Sequence, residues 1–187
     1  HAMQRADQRP RLTGRGPEPS VPAVRTAEDI TLVLFDIDGT LLDTRGAGKL
    51  SFVRALDAVF GWRDDLAYIR FAGATDLDVL ARIAARRGRT LDRAEIDRFF
   101  EHLPRELETT TRGADLTIYP GVRELLCALS DNPRALLGLV TGNIESCARI
   151  KLARCDLDAH FVLGAFGHEH ADRKEIARLA HRRASAT

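Results

Sequence analysis

Ile30-Thr31-Leu32-Val33-Leu34-Phe35-Asp36-Ile37-Asp38-Gly39-Thr40-Leu41-Leu42-Asp43 is the stretch on which the fold turns. Its first half is a short apolar run, rich in β-branched residues and free of turn formers, the pattern of a buried central strand. The run then gives way to two aspartates, a glycine and a threonine. Gly39 lets the backbone turn sharply, and the Thr40 hydroxyl can satisfy the turn. Asp36 and Asp38 stand two apart at the strand's carboxyl end, so in an extended chain they point to one side. Two carboxylates that close repel, which raises one pKa unless a cation intervenes. A hard divalent ion held by oxygen, magnesium above all, resolves the conflict. The pair can then divide the work, one carboxylate as nucleophile and the other as general acid and base.

Further along, Ala135-Leu136-Leu137-Gly138-Leu139-Val140 is a second such run, ending in Thr141-Gly142-Asn143. A third, shorter candidate is His160-Phe161-Val162-Leu163. Strands alternating with helices imply a parallel sheet whose ligands sit at the strands' carboxyl ends. At such an end, the Thr141 hydroxyl and the free amides opening the next helix suit a phosphate. Between Thr44 and Leu116 no strand is evident. Leu77, Leu80, Ile83 and Ala84 share a helical face, Thr75 and Asp78 have capping-box spacing, and Gly88 can close that helix. Asp92 and Glu95 have the same capping spacing for a following helix, which Pro104 is expected to break or kink. The expected fold is therefore α/β: a Rossmann-like parallel core, residues 30–43 and 117–187, interrupted by an all-helical insert over 44–116. Residues 1–29, rich in Arg and Pro and poor in large apolar side chains, are expected to form a disordered leader.

The 187 residues carry 28 Lys and Arg against 27 Asp and Glu, a net charge of +1. Bulk charge thus gives no reason to expect a nucleic-acid partner. Lysine occurs only at positions 49, 151 and 174, so each lysine invites a question. Cys127, Cys147 and Cys155 form no C-x-x-C pair, which fits free thiols in a reducing compartment. No apolar run approaches the ~20 residues of a membrane span. A cytoplasmic protein with no membrane partner is expected.

Phe35-Asp36-Ile37-Asp38-Gly39-Thr40-Leu41-Leu42, a helical insert, Tyr119-Pro120-Gly121-Val122 and Leu139-Val140-Thr141-Gly142-Asn143 follow one another in that order. Together they resemble the haloacid dehalogenase superfamily, and within it the phosphoglycolate-phosphatase-like hydrolases with a helical cap. The resemblance implies a magnesium-dependent phosphatase acting on a small phosphorylated metabolite. It makes Asp36 the nucleophile that forms an aspartyl-phosphate, Asp38 the acid and base, and Thr141 a ligand of the transferring group. Asp36 and Asp38 would hold the metal; Gly39, Thr40, Gly142 and Asn143 would adjoin the substrate. Having Asp at position 38 argues for phosphate chemistry over carbon–halogen cleavage. Phe71-Ala72-Gly73-Ala74-Thr75-Asp76 resembles the cap loop with which such enzymes read the substrate, which adds Thr75.

The family also balances phosphoryl charge with a lysine or arginine. Lys151 shares a helical face with Ile144, Cys147, Ala148 and Leu152, and so points inward, but it lies ~12 Å along the helix from Asn143. Arg173 or Lys174 opens the last helix, where the family's lysine resides. Either assignment is open at this stage. His168-Glu169-His170 has no further ligand at zinc spacing. The family completes its metal site with acidic residues after a further strand. No such strand or acid follows Ile176 to His181, so the C-terminal part of the core is expected to be missing and magnesium to bind weakly. Glu169 and Asp172 are the first candidates for a replacement ligand. Two other readings compete with the phosphatase: a phosphomutase of the same superfamily, and a truncated or degenerate binding protein without catalysis.

Overall fold

In a computed structural model the chain is described from residue 30 to residue 186; the expected leader, residues 1–29, lies outside the described residues. Strand β1 (Thr31–Phe35) pairs in parallel with β4 (Ala135–Val140), Thr31 opposite Ala135 and Phe35 opposite Leu139. β4 pairs in parallel with β5 (Leu163–Ala165), giving the order β1-β4-β5. β1 is thus an edge strand among the described residues, where the sequence reading made it central. Its residues Leu32 to Phe35 are only half-buried. An unpaired apolar edge of this kind is open to strand addition.

Along β4 the side chains alternate, as a strand buried on both faces requires. Leu137 and Leu139 meet α4 (Val122–Ser130) and α5 (Glu145–Ala153) in a core with Ile37, Leu126 and Leu152. Val140 and Leu34 turn the other way, onto Ile176 and Ala180 of α6 (Arg173–Ala184). Gly138 lies between them because a Cβ there would stand 2.6 Å from Leu163. The third strand begins later than expected. Asp158–His160 is a single 3-10 turn, Phe161 drops into the core, and regular pairing starts only at Leu163. An apolar run that fills a core from a turn has the composition of a strand without its geometry.

The chain leaves the core through β2 (Leu42–Asp43) and returns through β3 (Thr117–Ile118), which pair antiparallel. Between them stand three helices: α1 (Ala47–Phe60), α2 (Asp76–Arg86) and α3 (Arg93–Arg112). Asp92 and Glu95 make the full capping box of α3. Thr75 caps α2 by accepting from the Asp78 amide. Of the break or kink expected at Pro104, the break does not occur: α3 runs through it. Phe99, Leu103 and Leu107 on one face bury against Phe52 and Leu56 of α1, and that burial outweighs one lost backbone hydrogen bond. This apolar cluster continues into the core through Ile144 and Cys147. No described helix is long and apolar enough to cross a membrane.

Candidate active site

Ile37 is wholly buried, and its carbonyl accepts from the amides of Thr40, Leu41 and Leu42. Gly39, at φ +78°, makes that tight return possible. With Ile37 anchored below, Asp36 and Asp38 both face a cavity of about 400 Å³. Asp36 accepts from the Ile37 amide on one oxygen, at 2.9 Å, and from the Arg173 guanidinium on the other, at 2.5 Å. Arg173 is the first residue of α6, and the same nitrogen reaches the Val140 carbonyl at 3.4 Å.

Asp38 has a different cation. Lys151 donates to both its oxygens at 2.8 Å, and to the side-chain oxygen of Asn143 at 2.6 Å. Asn143 in turn donates to Asp38 and to the Thr141 hydroxyl oxygen, both at 2.7 Å. Burial works to raise the Asp38 pKa, but Lys151, the Asn143 amide and Arg173 together hold it below the usual carboxylate range. Lys151 is 5% exposed although it lies two turns into α5. Helical side chains lean toward the N-terminus, so a long lysine there recovers the axial distance that counted against it. The two cations read from the sequence as rivals therefore both reach the site, each on its own aspartate. Lys174 is exposed and does not line the cavity.

Gly39, Thr141, Gly142 and Asn143 line the cavity; Thr40 and Thr75 do not. Thr40 is exposed. The Thr75 hydroxyl caps α2 and donates to the Ala171 carbonyl at 3.1 Å, so it is engaged between the insert and the core rather than on the cavity wall. Its neighbour Asp76, which the sequence reading passed over, is on the wall instead. An acid at the first position of a helix beside a glycine loop was the available signal. The Asp76 amide donates to the Gly142 carbonyl at 2.7 Å and its carboxylate accepts from the Ile144 amide at 2.8 Å. Leu77 adds a bond to the Gly167 carbonyl at 3.3 Å. The helical insert is thus docked on the core through three consecutive residues.

That docking depends on missing Cβ atoms. One on Gly142 would sit 2.0 Å from the Ala74 carbonyl oxygen, and one on Gly167 1.7 Å from that of Gly142. Gly142→Ala is expected to lose about 1–3 kcal/mol, the range for overpacking a tight site. Urea unfolding of the variant against the parent measures it.

Burial pushes the Asp76 carboxyl up to about 6; Lys151 and the Ile144 amide oppose the shift, and Asp38 adds to it. A pKa above the unfolded value means the folded chain binds more protons between pH 4 and 6. The associated stability is present at the acid side and is lost as pH rises through about 6. Asp76→Asn keeps an acceptor for Ile144 and removes the titration. The stability difference between variant and parent should therefore shift in the variant's favour from pH 4 to pH 7 in parallel thermal melts. Burial also raises the Cys147 thiol far above its ordinary range, which keeps this cavity residue protonated and un-nucleophilic.

Glu169 and Asp172 are engaged elsewhere. Glu169 accepts from Arg183 and from the Phe166 amide, while Asp172 caps α6. His170 accepts from the Asp172 amide, and His168 stacks on Phe166. Among the described residues no three His, Cys, Asp or Glu side chains converge on a metal position. Asp36 and Asp38 nonetheless provide the hard oxygen donors that magnesium takes, since this ion is commonly held by one or two carboxylates, water and substrate phosphate. All three cysteines are free.

The model of the haloacid dehalogenase-like hydrolase family matches residues 33–175. A phosphoglycolate phosphatase of Agrobacterium fabrum is 33% identical over 155 residues, which make up 79% of this chain and 63% of that protein. The chain thus spans less than two thirds of this curated relative. Among solved structures, CbbY of Rhodobacter sphaeroides in complex with phosphate superposes with a TM-score of 0.65 at 20% identity, covering 82% of this chain and 72% of that one. A hydrolase of Pseudomonas syringae gives 0.63 at 20% identity, covering 83% and 71%. At such identities these two speak for the fold alone. With residues 33–175 matched and the paired aspartates at the end of the first strand, the chain belongs to the haloacid dehalogenase-like hydrolases.

Proposed function

We propose that the chain is a magnesium-dependent phosphatase of small phosphomonoesters, with Asp36 as nucleophile and α1–α3 as a cap over the site. The observation that carries this reading is the pairing of two adjacent aspartates with two separate cations, Arg173 on Asp36 and Lys151 on Asp38. One carboxylate alone would need no such division. An Asp36 oxygen attacks phosphorus and the bond to the ester oxygen breaks, leaving an aspartyl-phosphate and an alkoxide. Asp38 protonates that alkoxide. It then takes a proton from water, whose oxygen attacks the aspartyl-phosphate to release inorganic phosphate and restore Asp36.

Before substrate binds Asp38 is ionised, because Lys151 and Asn143 favour its charged form. A phosphate dianion beside it works the other way and raises its pKa, so substrate itself promotes the proton that Asp38 must donate. The Thr141 hydroxyl and the Gly142 amide would receive the phosphoryl oxygens, and Arg173 would turn from Asp36 to share them. Magnesium, held by the Asp36 carboxylate and the Asp38 backbone carbonyl, would neutralise charge on the phosphoryl group.

The test is phosphate release from p-nitrophenyl phosphate across a magnesium titration. Release that saturates with magnesium is expected; none at any concentration would remove the phosphatase reading. Because two donors rather than three are present among the described residues, calorimetry should give a magnesium constant in the millimolar range. A much tighter constant would reveal a further protein ligand.

A further inference from the structure

Lys151, Asn143 and Thr141 form one line of hydrogen bonds, and its protons can be followed group by group. Those of the Lys151 ammonium go to both Asp38 oxygens at 2.8 Å and to the Asn143 side-chain oxygen at 2.6 Å. That last bond fixes which way the Asn143 amide faces. Its nitrogen is turned to Asp38 and to the Thr141 hydroxyl oxygen, each at 2.7 Å, so both amide protons are used. The backbone amide of Asn143 donates to the same hydroxyl oxygen at 3.2 Å, and its carbonyl accepts from Gly167 at 2.7 Å. Thr141 thus receives two donors, and a hydroxyl has one proton and two lone pairs. With its lone pairs filled, its proton can point at neither nitrogen. No described residue accepts that proton, although Thr141 is wholly buried beside the cavity. A buried donor without an acceptor calls for one.

We propose that Asn143 is a positioning residue: by filling the Thr141 lone pairs it holds that hydroxyl as a donor to a phosphoryl oxygen. The contact of Thr141 with phosphate rests on the phosphatase reading; what is added is the residue that sets the polarity of that contact. Asn143 itself lines the cavity but has no proton left to give a substrate. A phosphoryl oxygen without a proton can only accept. A hydroxyl free to rotate would spend part of its time offering that oxygen a lone pair, which repels it. Lys151 acts at one remove, because it keeps the Asn143 amide from turning over and presenting its oxygen to Thr141.

Inorganic phosphate, titrated calorimetrically into the full chain with magnesium, tests this without turnover. Thr141→Val, which removes the hydroxyl and keeps the branched shape, is expected to weaken phosphate by about 10- to 100-fold, the scale of a hydrogen bond to a charged group. Asn143→Ala should weaken it by about tenfold in the parent but by less than about twofold in Thr141→Val, where the hydroxyl through which it acts is gone. Thr141→Ser keeps a hydroxyl and should keep the Asn143→Ala loss. A merely structural role for Asn143 would cost the same in every background. Asn143→Ser is expected to follow the alanine, and takes its place if that variant does not fold. Equal loss in the parent and in Thr141→Val, or no loss in the parent, would overturn this inference and leave the phosphatase reading standing. A parent that binds no phosphate would also overturn it. If that parent releases none from p-nitrophenyl phosphate either, both readings fall.

Discussion

Asp36→Asn is expected to stop phosphate release almost entirely, by on the order of 10⁴-fold or more, as when one member of a catalytic unit is removed. The substitution preserves shape. Its amide oxygen can still accept from the Ile37 amide, so the turn that positions Asp38 survives. It removes the anionic oxygen that would attack phosphorus, and no neighbour can stand in. Lys151 and Asn143 hold Asp38, the Ile144 amide holds Asp76, and Cys147 is kept protonated by burial. Arg173 loses its ion pair, but both partners are nearly one-third exposed, so the thermal midpoint should move little. Steady-state rates and a melt on the same sample check both halves. A variant within tenfold of the parent would remove Asp36 as nucleophile.

Lys151→Ala should damage both activity and stability. The ammonium is almost wholly enclosed and satisfies Asp38 and Asn143 together. Without it Asn143 loses the donor to its side-chain oxygen, and Asp38 and Asp76 face each other with no cation between them. Breaking a fully buried pair costs about 3–5 kcal/mol. Asp38 retains 43% exposure, so about 2–3 kcal/mol is the expected loss here. Activity should fall by about 10²–10³, the range for removing a charge that stabilises the transition state. Lys151→Met separates charge from volume: it keeps a long side chain in the same buried position, so equal loss of activity in both variants would assign the effect to the ammonium. Chemical denaturation supplies the stability difference.

The sequence was legible wherever the signal was local. The β-branched run into Asp36-Ile37-Asp38-Gly39 located β1 and its turn, and the Asp92 and Glu95 spacing located the start of α3. It was less legible where long-range packing decides. β2 and β3 are two residues each, too short to show any periodicity. Phe161 has the apolarity of a strand residue but fills the core from a turn, whereas Gly164 and Ala165 pair although their strand propensity is low. Thr75 and Asp76 illustrate the same limit at the site. Both residue types can cap a helix or line a cavity, and only the placement of Ala171 and Ile144 puts Asp76 on the wall and Thr75 off it. Lys151 and Arg173 looked like alternatives because sequence spacing does not show that two helices deliver one cation each.

The measurement that bears most directly on Asp36 as the nucleophile is rapid acid quench of the chain during turnover of p-nitrophenyl phosphate with magnesium, followed by peptide mass spectrometry. The expected result is one phosphoryl group on the peptide containing Asp36, lost in alkali as an acyl phosphate is, and absent from Asp36→Asn. Phosphate release with no phosphorylated peptide, or a phosphoryl group on another residue, would contradict it.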